Sequence, residues 1–202
     1  MTDESKHSTT TIYFLIGAGI AIAIFLGFVL FGFKQPEPVE TKIEYNYFTF
    51  EPVGGLWETK VKNGDQLLAV TLRFNPYDVE NVTIQGELNK SFNLGDVYIT
   101  FDPLSTEDQF KYLALAASEL TLNLVRGLNK TAVAACTKDE TEACKGRPTV
   151  TCADTNKSVI LIDSNQPTQI QLDDRCVKLS GAEMELLKSV DRLLYQWYGI
   201  MR

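Results

Sequence analysis

The sequence predicts an α+β fold: an N-terminal transmembrane helix, then a mixed sheet with hairpins and two helices packed on one face, disulfide-stapled. Residues 11–33 carry no charge. After residue 43, strand-like runs are interrupted by two stretches with helical spacing of apolar residues. All four cysteines fall between Cys136 and Cys176.

The apolar run, TIYFLIGAGIAIAIFLGFVLFGF, is long enough as a helix to cross the ~30 Å hydrocarbon layer at 1.5 Å per residue. Tyr13, Phe31 and Phe33 suit the interfaces. A cleaved signal peptide would have a shorter apolar region ending at an A-x-A-like site, whereas this run ends LFGFKQPEP. An uncleaved anchor is therefore expected. Gly19, Ala23 and Gly27 recur four apart and would offer a second transmembrane helix a close approach, although Gly and Ala are common in such helices anyway. Lys6 precedes the run and Lys34 and Lys42 follow it, so charge alone does not orient it. The expected organisation is a short cytoplasmic tail (1–10), the transmembrane helix (11–33), a Pro- and charge-rich linker (34–42) and an extracytoplasmic domain (43–202).

YNYFTF opens the domain with strand-forming residues, and Gly54-Gly55 interrupts it. LWETKV and LLAVTLRF flank NGD, so a hairpin is expected with Asn63-Gly64 at its turn. NPYD breaks the pattern, NVTIQGEL supplies an edge strand and DVYITF another strand. The first helix is expected to be capped by Ser105 and to end at Gly127. Phe110, Leu113, Ala117, Leu120 and Leu124 form its core face, widened by Leu115, Leu122 and Val125, so it should be largely buried. TAVAAC then returns as a strand through a right-handed crossover. SVILI and TQIQL read as a hairpin around DSNQP, and CVKL as a further strand. The second helix is expected from Ser180, with Glu183 completing a capping box. Leu187, Val190, Leu194 and Trp197 would mark its buried side.

The cysteines are spaced Cys-x7-Cys-x7-Cys-x23-Cys. Structural zinc sites favour ligand pairs two to four residues apart, and no C-x-x-C redox motif is present. Four thiols confined to one stretch read best as two disulfides in an oxidising compartment, with free core thiols as the other possibility. Of three pairings, Cys136–Cys144 and Cys152–Cys176 are preferred: one closes a short polar loop, the other ties a loop to a strand. By loop length, losing the second should cost more. Asn-x-Ser/Thr occurs at Asn81, Asn89, Asn129 and Asn156, four of ten asparagines. These are glycan acceptor patterns, meaningful outside the cytoplasm.

The net charge of −7 and the absence of clustered Lys and Arg argue against nucleic acid. The single histidine, His7, precedes the anchor, which leaves the domain without Ser-His or Cys-His pairs. No P-loop, dinucleotide, G-x-S-x-G, HExxH or EF-hand motif is present, so no catalytic residue, cofactor or metal is assigned. Asp102, Asp139, Glu140, Asp173 and Asp174 are the carboxylates that a surface hydrolase would use, and ordinary solvated loop charge is the plainer reading. Asp102 could equally accept N–H groups at the start of the first helix. Glu119, Asn123 and Arg126 share a polar stripe on that helix. Trp57, Trp197 and Tyr198 are the aromatic residues around which a sugar or peptide receptor would be built.

The stretches LALAASELTLNL, AACTKDETEACKGRP and DRLLYQWYGI resemble uncharacterised single-span membrane-anchored surface proteins of small-genome archaea. The resemblance implies an archaeal cell surface and transfers no activity. Taken together, the expectation is a membrane-anchored extracytoplasmic protein with a non-enzymatic binding or structural role at the cell envelope. Its partners would be the membrane, and an envelope protein or a second helix at Gly19, Ala23 and Gly27.

Overall fold

The computed structural model describes residues 4–31 and 41–202, which fall into two separate units. The first contains helix α1, Glu4–Phe31, 28 residues long. Its described side chains run from Ile12 to Phe28, and Ile12, Phe14, Ile20, Ile24 and Phe25 are exposed around it. Among the described residues, no helix is long and apolar enough to cross a membrane. Most of the expected linker lies outside the described residues.

The second unit opens with a four-stranded antiparallel meander, β1 (Ile43–Tyr45), β2 (Phe48–Val53), β3 (Leu56–Asn63) and β4 (Gln66–Leu72), in chain order. Each connection is two residues long, because Tyr45 pairs with Phe48, Val53 with Leu56 and Asn63 with Gln66. The last turn is therefore Gly64-Asp65 and not the expected Asn63-Gly64. Asn63 is the closing strand pair, and its Nδ2 donates to the Gly127 carbonyl at 3.0 Å. Phe50, Val61, Val70 and Leu72 point into the core, while Glu51, Lys60 and Lys62 face solvent, as the two-residue side-chain period requires.

After a short helix α2 (Pro76–Val79) come β5 (Thr83–Gly86), β6 (Val97–Phe101), helix α3 (Glu107–Leu122), β7 (Ala132–Ala134), β8 (Ser158–Asp163), β9 (Gln169–Asp173), β10 (Cys176–Ser180) and helix α4 (Met184–Trp197). The strands form a mixed six-stranded sheet in the order β5-β9-β10-β8-β6-β7. β6 and β7 are parallel and joined through α3, which gives the expected strand-helix-strand unit. The expected β8–β9 hairpin is not formed. β8 instead takes parallel partners on both edges, β6 and β10, and the hairpin is β9–β10. The reason is burial: Ser158, Val159, Ile160 and Ile162 are all buried, and a strand covered on both faces belongs at the sheet centre.

Both helices cover one face of this sheet. They share a core with Val97, Ile99, Phe101, Ile160, Ile162 and Leu179, and the meander's inner face joins the same core. The other face carries a small cluster of Ala135, Val150 and Val159 under Tyr98. α3 is half-buried, contrary to expectation: Leu113, Ala116, Leu120 and Leu124 are inward, but Phe110, Leu115, Leu122 and Val125 are exposed. Its cap is Thr106, boxed with Gln109, while Ser105 donates to the Asp102 carbonyl instead. α4 starts four residues later than expected, because Ser180 still belongs to β10 and accepts at its carbonyl from Ser189 Oγ at 2.7 Å. Every residue from Ser189 to Tyr195 is buried. Leu187, Val190 and Leu194 are on the buried side as expected, with Trp197 half-buried, while Met184 and Glu185 in the first turn are exposed.

The disulfides are Cys136–Cys144 and Cys152–Cys176, the expected pairing. Loop entropy favours the second by about 1 kcal/mol, given separations of 8 and 24 residues. Burial reverses the order for serine substitution. Cys136 and Cys144 are both buried, at 1% exposed each, whereas in the second bond only Cys176 is buried and Cys152 is exposed. Two buried hydroxyls with at most each other as partners cost about 1–3 kcal/mol each. Replacing Cys136 and Cys144 together with Ser should therefore lower the melting temperature more than replacing Cys152 and Cys176. The opposite order in thermal melts would show that loop entropy dominates.

Candidate functional site

Three clefts deserve comparison on chemistry. The first lies at the carboxyl ends of β6 and β8. The chain leaves β6 towards β7 and leaves β8 towards β9, on the other side of the sheet, so the loops diverge there, as they do at ligand clefts of open α/β sheets. The cleft holds about 500 Å³ and is lined by Asp102, Gln109, Thr137, Lys138, Asp163 and Asn165. Its carboxylates are already matched. Asp102 Oδ1 accepts from the Leu104 N–H at 3.0 Å, ahead of α3, and its Oδ2 lies 3.6 Å from Lys138 Nζ. Asp163 Oδ2 lies 2.9 Å from Lys178 Nζ. Burial pushes the Asp163 carboxyl up, but Lys178 and the Asn165 N–H outweigh it and hold the group below its ordinary range.

The second cleft, about 340 Å³, holds Asp173, Asp174, Asp154, Arg175 and Lys178 beside the Cys152–Cys176 bond. Asp174 accepts from Asn89 Nδ2 at 2.7 Å. Asp139 and Glu140 are exposed on the loop after β7. The five carboxylates singled out in the sequence thus fall in three places: Asp102 in the first cleft, Asp173 and Asp174 in the second, and Asp139 and Glu140 on the exposed loop, and neither carboxylate cleft has an aromatic wall. Among the described residues, no group of His, Cys, Asp and Glu could hold a metal ion.

One strongly perturbed group is one the sequence did not mark. Asp191 on α4 is fully buried. Burial drives its carboxyl well above the ordinary range, and the charge and hydrogen bond of Glu119 add to this. The N–H groups of Phe74 and Arg73, 2.7 and 2.9 Å from its Oδ2, pull the other way. Glu119 also accepts from Arg73, from its N–H at 3.2 Å and from Nε at 3.4 Å. One turn on, Tyr195 donates to the Phe74 carbonyl at 2.6 Å. α4 therefore grips both sides of the chain where it leaves β4. Such a shift often marks an active site, but Asp191 is wholly buried and lines neither carboxylate cleft, and its work is mechanical.

The third cleft, larger than the other two at about 650 Å³, lies on the solvent side of the meander. Tyr47, Phe48 and Tyr198 supply its rings, and Thr49, Glu51, Glu58, Lys60 and Lys62 its polar floor. The Tyr198 hydroxyl donates to Asn123 Oδ1 at 2.8 Å, and burial raises its pKa. Gly127 is required here because a Cβ would lie 2.0 Å from that hydroxyl. The Lys42 ammonium bonds Glu51 and holds its carboxyl below the ordinary range. Of the three aromatic residues named from the sequence, only Tyr198 reaches this cleft. Trp197 instead stacks edge-on with Phe92, centroids 5.8 Å apart. The expected polar stripe on α3 also divides. Glu119 and Asn123 are tied into the fold, and Arg126 is exposed.

Asn81, Asn129 and Asn156 are exposed, as an acceptor asparagine must be. Asn89 is half-buried, and its side chain caps the turn at Lys90–Asn93 as well as bonding Asp174. Comparison with family models, with curated proteins and with solved structures finds no match for the chain.

The Asp191 shift has a signed consequence. Its native pKa is raised, so the stability it contributes is complete below the unfolded value near ~4 and is lost as pH rises towards the native value. Asp163 acts oppositely, but only as pH falls below about 4. Asp191→Asn keeps an acceptor for Arg73 and Phe74 and cannot ionise. As pH rises above about 4 the wild-type unfolding free energy should fall, by at most about 1.4 kcal/mol per unit, and the variant's should be flatter. Parallel slopes in chemical denaturation would refute the assignment.

Proposed function

We propose that this chain is a membrane-anchored extracytoplasmic protein with a non-enzymatic binding role at the cell envelope. The observation that carries the reading is the pair of disulfides, with no free cysteine among the described residues. Such bonds persist in oxidising compartments and are rare in the cytosol. Three exposed acceptor asparagines agree with that side of a membrane. The anchor is read from the charge-free run at 11–33, and α1 is apolar on all sides where its side chains are described. Helices of that kind belong in a large protein core or in lipid. A Cβ added at Gly19 or Gly27 would meet nothing within 4 Å, which leaves room for a second helix. The cell surface implied by the archaeal resemblance fits the same arrangement.

Binding is favoured over hydrolysis because the candidate carboxylates are divided among three places, the two that share a cleft have no aromatic wall beside them, and Asp102 and Asp174 already bond Lys138 and Asn89. The third cleft gives a binding role a place, with rings and hydrogen-bonding groups on one surface.

Protease shaving of intact cells producing the chain with tags at both ends tests the topology. Digestion should remove the domain after Lys34 and spare the N-terminal tag, and the released fragment should shift in mobility on reduction. A domain protected in intact cells and digested only after lysis would overturn the reading.

A further inference from the structure

We propose that the cleft walled by Tyr47, Phe48 and Tyr198 is a saccharide-binding site, with the Tyr47 ring as its stacking platform. The inference deepens the binding reading above and is independent of the anchor.

The first observation is conformational. Asn46 and Tyr47 form the β1–β2 turn with φ of 45° and 69°. The next turn of the same meander makes the same left-handed pair with Gly54 and Gly55, φ 60° and 78°. Asparagine tolerates that region and glycine is indifferent to it, but a tyrosine there is strained. The strain is not offset by packing, because the Tyr47 side chain is 107% exposed, leaving its ring free in solvent. A bulky ring held at a glycine position, on a turn anchored by the Asn46 Nδ2 bond to the Ile200 carbonyl at 3.0 Å, is a feature that stability does not explain.

The second observation is the chemistry of the surface beside it. Glu51 on β2 pairs directly with Glu58 on β3, and Lys60 and Lys62 follow Glu58 along β3, so with two carboxylates and two ammonium groups the floor is formally neutral and offers both donors and acceptors. A sugar presents apolar C–H faces for an aromatic ring and hydroxyls that both donate and accept. A phosphate ligand would want net positive charge, which this floor lacks. A peptide main chain would want an open strand edge, and the floor strand β3 is paired on both sides by β2 and β4.

The test uses the full-length chain in lauryldimethylamine oxide micelles, whose headgroup carries no sugar. The probes are glucose, N-acetylglucosamine and mannose hexasaccharides, read by titration calorimetry and ligand-observed NMR. Saturable binding to at least one is expected. Tyr47→Phe should retain it. Tyr47→Gly should weaken it at least about tenfold while raising the melting temperature by about 2–4 °C, because relief of strain and loss of the platform have opposite signs. Glu58→Gln and Lys60→Met should weaken it without unfolding the domain. Absence of saturable binding to every hexasaccharide, or equal affinity in Tyr47→Gly, would overturn the proposal, as would a lower melting temperature in that variant. Retention of casein tryptic peptides with no saccharide bound would overturn the ligand class and leave the binding reading standing. Saccharide binding by a domain that shaving finds inside the cell would support the site and remove only the location.

Discussion

The fold turns on one buried carboxylate. Asp191 sits inside α4 and holds two consecutive main-chain N–H groups at the end of β4, and Tyr195 takes the carbonyl of the same residue, Phe74. Phe50 packs edge-on against the Tyr195 ring at 5.7 Å, so the apolar contact between meander and helix is aligned by the polar one. Hydrophobic burial supplies most of the attraction between these layers but has no direction. The hydrogen bonds supply the direction, at the cost of keeping a carboxyl group where its charged form is disfavoured. Glu119 shares that cost, which ties α3 into the same junction.

Much of the architecture was legible in the sequence, and the failures share a cause. The last three strands of the meander were visible because they alternate and are parted by glycine turns, whereas YNYFTF was read as one strand although the Asn46-Tyr47 turn splits it into β1 and β2. The β6–α3–β7 unit was visible because a strand, a helical period and a second strand follow one another. The cysteine pairing was readable from placement, one bond closing a short polar loop and the other tying a loop to a strand. The β8–β9 hairpin was wrong because adjacency in the chain outweighed the continuous apolar run SVILI, whose lack of alternation signals a central strand. The α3 core face was right at Leu113, Leu120 and Leu124, with Ala117 packed beside them, but its widening by Leu115, Leu122 and Val125 was wrong because the leucines are spread round the helix and only some of them meet the sheet. Glu183 was taken for a cap three residues into a helix, when it is the residue before the helix, with φ of 52°.

The candidate cleft was less legible than the fold. Its floor comes from alternate residues of β2 and β3, which read simply as the solvated side of two strands. Tyr198 arrives from the far end of the chain. The one local signal was the dipeptide Asn46-Tyr47 between two strand-like halves of YNYF, where turn chemistry favours glycine second. Aromatic content drew attention to Trp57 and Trp197 instead, and large rings are more often used to fill cores.

The grip on Phe74 also fixes an order of assembly. The meander is made of contacts between near neighbours in the chain and can zip turn by turn, whereas Arg73 and Asp191 are 118 residues apart. Loop closure over that distance is slow compared with hairpin formation. During synthesis the meander emerges with its apolar face uncovered and waits for α4. Its outer face, rich in Glu, Lys and Thr, keeps that early intermediate soluble on one side. The inner face, with Phe50, Val61, Val70 and Leu72, is where a nascent chain of this kind needs shielding until its last helix arrives.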